Sequence, residues 1–397
     1  MNISQNYSYF NNTQPQNKRN NINFKGWKPD NLINSKQIEQ LKDLITDKDT
    51  QKIAISGHFG PDGDCISSGF ALSNIIHKLT GKPVDFFLFG KLTDRFAFLN
   101  TNKNVKVIDF EKPSAIDADE LIKNHGKYDL AISVDTASNS LFAKGYYDGI
   151  FKNAKNTAKI DHHPVKDTID TKTNKPIIGN FADVNIVDDS CNSATQVIMQ
   201  LVEPFGLKPS ELNQTTNESL YTGILTDTRN FIYAKNFKAF EDASLLIKNG
   251  VDNEKMQHKV FGNVPFEAFN VRQHLDKLIQ RTPDGKIVYF IEDEGLSAIK
   301  KHAWQNGYKD DLQAEIFGTI QKLLKVKDVE ALVYVSGPRF NLRSNNIDIS
   351  QLATKHGGGG HQKAAGFHVA DENVDKNQLL QEVIAELSES INKLDKQ

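Results

Sequence analysis

Four times between residues 52 and 228 the chain runs through a short apolar stretch and closes it on an aspartate or a histidine. Ile53-Ala54-Ile55 leads through Gly57 to His58, Asp62 and Asp64. Tyr128 to Val134 ends on Asp135. Thr157 to Ile160 ends on Asp161-His162-His163, and the segment from Leu220 ends on Asp227. This pattern narrows the choice of folds sharply. Short apolar runs bounded by turn residues read as buried strands. Further strand-like runs lie at Val84–Phe89 and Val105–Ile108, with helical periods at Ser35–Thr46, about Ile66–Leu79 and Asp117–Lys123. Strands alternating with helices imply an α/β chain with a mainly parallel sheet covered on both faces by helices. In such sheets ligands gather beyond the carboxyl ends of the strands, and that is where these acids and imidazoles stand.

The first of the four segments, KIAISGHFGPDGD, places one imidazole and two carboxylates in a turn marked by Gly60, Pro61 and Gly63. Asp62 and Asp64 are too near one another for both to ionise cheaply without a neighbouring cation. Asp-Gly-Asp also suits a solvated turn, and the segment alone does not choose between the two. The paired histidines have a mechanical reading. One ring can bind metal while a carboxylate orients a ring through its second nitrogen, which leaves the other ring for acid–base work.

Taken together, HFGPDGD, VDTA, IDHHP and GILTDT resemble the four signature segments of the DHH phosphoesterase family. HGGGGHQKAAGF, from His356 to Phe367, resembles the glycine-rich motif of the associated DHHA1 domain. The order of the segments and the chain length are most similar to the bacterial NrnA type. The resemblance runs from about Leu32 to the C-terminal region. It implies a DHH catalytic domain over residues 31–250, a helical linker over 251–283 and a smaller α/β DHHA1 domain over 284–397, across a cleft from the first. It implies a metal-dependent phosphoesterase that hydrolyses short oligoribonucleotides to mononucleotides and phosphoadenosine phosphate to AMP. Two other readings are a phosphodiesterase of linear or cyclic dinucleotides and an exopolyphosphatase. A non-catalytic nucleotide or RNA sensor is a different class, and it would be suspected if ligands were missing.

Carried over residue by residue, the resemblance gives His58, Asp62 and Asp135 to a first divalent cation. Asp64, Asp135, His162 and Asp227 go to a second, with Asp135 shared. Mixed carboxylate and imidazole ligands suit Mn²⁺ better than Mg²⁺, which prefers oxygen and water. His163 is the candidate to stabilise the transferred phosphoryl oxygens or protonate the leaving group, and Asp161 to orient one of the histidines. The glycine run from Gly357 allows backbone N–H groups to approach phosphate oxygens. Gly358, Gly359, Gly360 and His361, with Arg343 as a bidentate fork and Ser344 beside it, are the candidate substrate-binding residues. Arg339, His125, His302 and His356 are assigned no role.

The 397 residues suit two or three domains, and the net charge of −2 gives no global basic field to draw the chain onto long nucleic acid. The expected partners are short single strands or small nucleotide phosphates rather than long duplexes, with a homodimer as one option. The two cysteines, Cys65 and Cys191, suggest neither a disulfide framework nor a zinc site. No export signal or membrane-spanning run is seen, so the expected compartment is the cytoplasm. Residues 1–30 are rich in Asn and Gln and read as a disordered tail. Ser193 and Thr195 open a helical pattern whose polar first turn suits an anion; support of a metal ligand, phosphate contact and simple N-capping all remain open for them. Arg229 follows the fourth segment, either towards a phosphate or towards solvent. In the second domain Lys286–Phe290, Glu330–Val335 and Phe340–Ser344 read as strands, Asp311–Leu324 as a helix, and Asn345-Asn346 as the turn of a hairpin leading to Ile347–Ile349.

Overall fold

The computed structural model describes residues 34–164, 167–169, 176–262, 264–305, 309–369, 371 and 374–394. The tail expected over residues 1–30 lies outside them. The chain divides into two compact units, with the boundary between Val260 and Phe261.

The first unit opens with helix α1 (Ser35–Thr46), strand β1 (Ile53–Ser56) and helix α2 (Gly63–Thr80). It continues through β2 (Val84–Leu88), a single turn α3 (Asp94–Ala97), β3 (Val105–Asp109), α4 (Ala118–His125) and β4 (Leu130–Val134). A short turn α5 (Lys144–Tyr146) precedes β5 (Asn156–Asp161), a two-stranded ribbon of β6 (Thr168–Ile169) and β7 (Pro176–Ile177), and β8 (Val184–Val187). Helices α6 (Ala194–Val202), α7 (Gln214–Asp227), α8 (Lys238–Lys248) and α9 (Asn253–Phe261) complete it. Six strands form one sheet in the order β3-β2-β1-β4-β5-β8, every pairing parallel. Strands β1 and β4 are buried along their whole length, as strands covered on both faces must be. From β1 the chain winds outward to β2 and β3, then returns to β4 and winds the other way. The gap beyond the ends of β1 and β4 is therefore the topological switch point, the place where doubly wound sheets bind ligands.

Helix α2 begins three residues earlier than the apolar period suggests. The carboxylate of Asp62 is its N-cap: Oδ1 accepts from the N–H groups of Asp64 and Cys65, each at 3.1 Å. Asp64 therefore stands in the first helical turn and not in the loop. The fourth signature segment also differs from the other three. It is the last turns of helix α7, packed against α2 and α6. Glycines make that packing close. A Cβ on Gly63 would lie 2.4 Å from Thr226 Cγ2, and one on Gly223 would lie 2.3 Å from both Asp64 Oδ1 and Thr195 Oγ1.

The second unit carries α10 (Phe266–Leu278), β9 (Gln280–Arg281), β10 (Ile287–Ile291), α11 (Glu294–Gln305), α12 (Lys309–Leu323), β11 (Ala331–Ser336) and β12 (Arg339–Ser344). Then come α13 (Ser350–Lys355), β13 (Gly359–His361), β14 (Ala364–His368) and a long helix α14 (Lys376–Leu394). Its sheet runs β13-β14-β12-β11-β10-β9, parallel only between β10 and β11. Alternation divides the side chains. Val333, Val335, Phe340 and Leu342 pack with α13 and α14 on one face, while Val288, Phe290, Leu332 and Tyr334 pack with α10, α11 and α12 on the other.

Two expectations for this unit are corrected. No hairpin turns at Asn345-Asn346. The hairpin is β11–β12, turning at Gly337-Pro338 with Gly337 at φ 54°, and the chain after Ser344 leads into α13. Asn345 is instead a tether, its amide donating to the carbonyls of Leu324 and Val329, each at 2.7 Å. The glycine run is also more ordered than a loop, because Gly359–His361 is the edge strand of the sheet. Among the described residues no helix is long and apolar enough to cross a membrane.

Candidate active site

Three loops and one helix end converge on Asp135. It directly follows β4, with φ at 50°, a left-handed conformation that Asp tolerates better than most residues. Its amide donates to the Ile160 carbonyl at 3.0 Å, which fixes it to the end of β5. Its side chain is almost completely buried. On one side Oδ2 lies 3.6 Å from His58 Nε2, and His58 Nε2 lies 3.8 Å from Asp62 Oδ1. On the other side Oδ1 lies 3.4 Å from His162 Nε2, which is 3.1 Å from Asp227 Oδ2. Asp64, His162 and Asp227 also bring ligand atoms within 4.8 Å of one another. All six sequence-derived ligand candidates thus gather in one place, with Asp135 turning one oxygen to each half.

Helix α6 explains how a buried Asp64 is kept there. The Asp64 carboxylate accepts from the N–H groups of Ala194 (2.5 Å) and Thr195 (3.2 Å) in the first turn of α6. The anion that this helix start was expected to attract is a side chain of the protein itself. Ser193 is a plain N-cap, its Oγ accepting from the Gln196 N–H at 3.2 Å, and Thr195 Oγ1 meets Ser193 Oγ at 2.8 Å. Both are fully buried; Ser193 caps the helix, and Thr195 supports the ligand candidate Asp64 through its N–H.

The electrostatics are those of charge packed in little solvent. Burial, followed by the charges of Asp135 and Asp227, pushes the Asp64 carboxyl well above the usual carboxylate range. Burial also raises Asp227, to about 6, against the pull of His162. Burial would lower His58, but Asp135 and Asp62 override it and raise that imidazole. Asp135 shows the reverse: burial favours its neutral form, and His162 and His58 hold it below the usual range instead. Asp135 Oδ1 and His162 Nδ1 are buried without a hydrogen-bond partner among the described residues.

Asp161 orients His163. Its Oδ1 accepts from His163 Nδ1 and from the His162 N–H, each at 2.9 Å. A carboxylate accepts only, so Nδ1 of His163 carries the proton and Nε2 is left for chemistry. The bond to Asp161 raises the His163 pKa. Its side chain is 43% exposed, the most open of the site's three imidazoles. Cys65 is a buried small side chain whose Sγ lies within 4.8 Å of ligand atoms of His58 and Asp135. Arg229, Asn230 and Phe231 follow Asp227 with φ of 46°, 58° and 65°. The Arg229 guanidinium lies over the Tyr233 ring, 5.7 Å from its centroid.

The remaining candidates belong to the second unit. Arg343 is half-buried. Its Nη1 donates to the Leu342 carbonyl at 2.8 Å, its guanidinium lies 5.7 Å from the Phe317 ring, and no carboxylate pairs with it among the described residues. Burial and the charge of Arg339 both lower its pKa. Arg339, Asn341 and Arg343 alternate along β12 and share one face. That spacing was readable in the sequence, yet Arg339 was given no role. Ser344 is corrected. It points to the opposite face at 5% exposure, and its hydroxyl donates to the Ile347 carbonyl at 2.6 Å. Gly358 and Gly360 are needed by β14, because a Cβ there would meet Gly366 O at 2.1 Å and Ala365 Cα at 2.5 Å. A Cβ on Gly359 would meet nothing within 4 Å. His361 contributes backbone to β13, and its side chain lies outside what the structure describes.

Residues 52–224 match the DHH family, N-terminal domain, and residues 302–393 match the DHHA1 domain. The chain carries a DHH domain followed by a DHHA1 domain. DHH proteins of this kind are metal-dependent hydrolases of phosphate esters. This DHH chain is similar to a Mycoplasma genitalium protein named bifunctional oligoribonuclease and PAP phosphatase NrnA. The two are 24% identical over 337 residues, covering 82% of this chain and 91% of the relative. An uncharacterised M. genitalium protein, MG371, is 27% identical over 349 residues, covering 84% of this chain and 90% of its own length. Among solved structures, an exopolyphosphatase-related protein from Bacteroides fragilis superposes with a TM-score of 0.70 at 18% identity, covering 92% of this chain and 98% of that one.

Proposed function

We propose that this DHH phosphoesterase hydrolyses short single-stranded oligoribonucleotides to mononucleotides and removes the 3′-phosphate of phosphoadenosine phosphate, using two divalent cations, with Mn²⁺ preferred. The observation that carries the reading is Asp135, a buried carboxylate set between two converging ligand sets with His163 beside it. The M. genitalium relative named for these two activities aligns over most of the chain and supports the substrate class.

The donor set fits the cations. Ligand atoms about 2.1 Å from one ion lie roughly 3–4 Å apart, and the site's contacts of 3.1, 3.4, 3.6 and 3.8 Å fall in that range. The buried Asp135 Oδ1 makes no hydrogen bond among the described residues, and a cation there would satisfy it. His58, Asp62 and Asp135 would hold one ion, and Asp64, Asp135, His162 and Asp227 the other. Such a pair supplies an activated water and neutralises charge on the phosphoryl group. The protein's own part is then positional. Asp161 holds His163 so that Nε2 faces the reacting group, where it stabilises phosphoryl oxygens or delivers a proton to the departing hydroxyl. From the second unit, Arg343 and the backbone of Gly358, Gly359, Gly360 and His361 hold substrate phosphate.

The test is a substrate panel with Mn²⁺: end-labelled RNAs of increasing length, duplex RNA, phosphoadenosine phosphate, linear and cyclic dinucleotides, and polyphosphate. With no basic field to neutralise a long backbone, kcat/KM is expected to peak at about two to five nucleotides and to be poor on duplexes. Processive degradation of long RNA, with affinity collapsing as salt rises, would overturn this reading.

A further inference from the structure

Lysine 159 stands where a buried parallel strand ordinarily takes Val or Ile. Its side chain is 0% exposed. Nζ donates to the Ala137 carbonyl at 3.0 Å and the Gly179 carbonyl at 2.9 Å, and it lies 3.0 Å from Asp161 Oδ2, off-line for a hydrogen bond but close enough for an ion pair. The Phe181 ring covers it at 5.1 Å. An ammonium this far from water is costly unless it is fully paired, and here its polar partners are the carbonyl of Ala137, two residues after Asp135, the carbonyl of Gly179 and the carboxylate of Asp161 at the end of β5. Lys159 and Asp161 lie two residues apart on one face of β5, and the His163 side chain follows directly on Asp161.

We propose that Lys159 is a positioning residue for phosphoryl transfer, holding the Asp161 carboxylate in the one rotation that orients His163. The two carbonyls fix the ammonium in place, and the ammonium fixes Oδ2. Oδ1 is thereby aimed at the His162 N–H and His163 Nδ1. Without Lys159 the carboxylate can rotate and the His163 ring loses its set direction. The inference rests on the role given to His163 above, and it assigns Lys159 no contact with substrate or metal.

The test compares Lys159→Met, Asp161→Asn and the double variant, each as the full chain loaded with Mn²⁺. Lys159→Met is expected to lower kcat about 10- to 100-fold, the usual cost of losing a partner that orients a site group. KM and Mn²⁺ stoichiometry should hold. Because Lys159 acts through Asp161, the double variant should turn over no more slowly than Asp161→Asn. Wild-type kcat in a folded Lys159→Met protein, or losses that multiply in the double variant, would overturn the proposal. If Lys159→Met alone does not fold, comparing the double variant with Asp161→Asn still decides, since removing both charges leaves no unpaired ion. A second readout is independent of turnover. In ¹⁵N-histidine spectra of the metal-free protein, the His163 Nδ1–H signal should be sharp in the wild type and averaged between tautomers in Lys159→Met, with no further change from Asp161→Asn to the double variant. A signal unchanged in Lys159→Met, or one that differs between Asp161→Asn and the double variant, would overturn the proposal even if no substrate on the panel were cleaved. Loss of turnover on every substrate by the wild type, with this signal behaving as expected, would sink the functional reading alone.

Discussion

Substituting Gly223 by Ala should damage a site that Gly223 does not touch chemically. The position is in the interior of helix α7, where Ala normally stabilises by about 0.8–1.0 kcal/mol over Gly. Here the sign should reverse. The added Cβ would lie 2.3 Å from Asp64 Oδ1 and Thr195 Oγ1 and 2.4 Å from Thr195 Cγ2. Relief to ordinary contact needs about 1 Å of movement. Neither neighbour can give way easily: Thr195 is fully buried and Asp64 is held by two N–H groups of α6. Overpacking of this kind costs about 1–3 kcal/mol, a fall in Tm of about 2–12 °C for a unit of this size. If α7 retreats it takes Asp227 with it, and a 1 Å misplacement near the chemistry costs on the order of 100-fold in turnover. Thermal melts with and without Mn²⁺, together with Mn²⁺ titration calorimetry, measure both effects. Gly318→Ala in α12 is the control, since its Cβ would meet nothing within 4 Å and the change should stabilise slightly. A Gly223→Ala protein that melts higher than wild type and binds Mn²⁺ normally would refute the reasoning.

Asp135→Asn should preserve the backbone, because Asn also tolerates φ near 50°, while kcat falls on the order of 10³-fold; near-normal turnover would remove Asp135 from its shared role. Arg343→Ala should raise KM for nucleotide substrates by an amount corresponding to roughly 1.5–3 kcal/mol and leave bound Mn²⁺ unchanged. A loss of Mn²⁺ with KM intact would mean that Arg343 supports the metal site instead. Metal binding should also be linked to protons. Against burial, Asp135 and Asp62 raise His58 to about 11 in the metal-free protein, so it retains a proton at neutral pH that a cation must displace. Cation affinity should therefore rise from pH 6 to pH 8, and calorimetry in buffers of different ionisation enthalpy should detect proton release; a proton count of zero at pH 7 would contradict the assignment.

The sheet was legible because strands follow local rules, and the six ligand candidates came with the resemblance of the four segments to the DHH family. An apolar run of Ile and Ala at residues 53–55 has few alternatives to a buried strand, and the residue that ends it has few alternatives to the switch point. What escaped the sequence depends on distant partners. Nothing local says that Asp64 seals the start of α6, because its partners lie 130 and 131 residues away. Ser344 was misjudged because adjacency to Arg343 was weighed and strand alternation was not. The same alternation would have brought Arg339 in. Lys159 was passed over inside a strand pattern, since a single charge in an apolar run gives no sign of what it faces.

The hydrogen-bonded seat of Asp64 on the backbone of α6 bears on how the site comes into being during synthesis. A nascent chain that has reached Val187 already contains the first three signature segments. It lacks both the α6 amides that hold Asp64 and the α7 turn that presents Asp227. Such long-range contacts form late, after the loop-closure entropy of the intervening chain has been overcome. The ion-binding constellation should therefore appear only when the first unit is complete, and not stepwise as its segments emerge. Cation uptake would then report the finished fold, and fragments ending before residue 194 would show no specific binding.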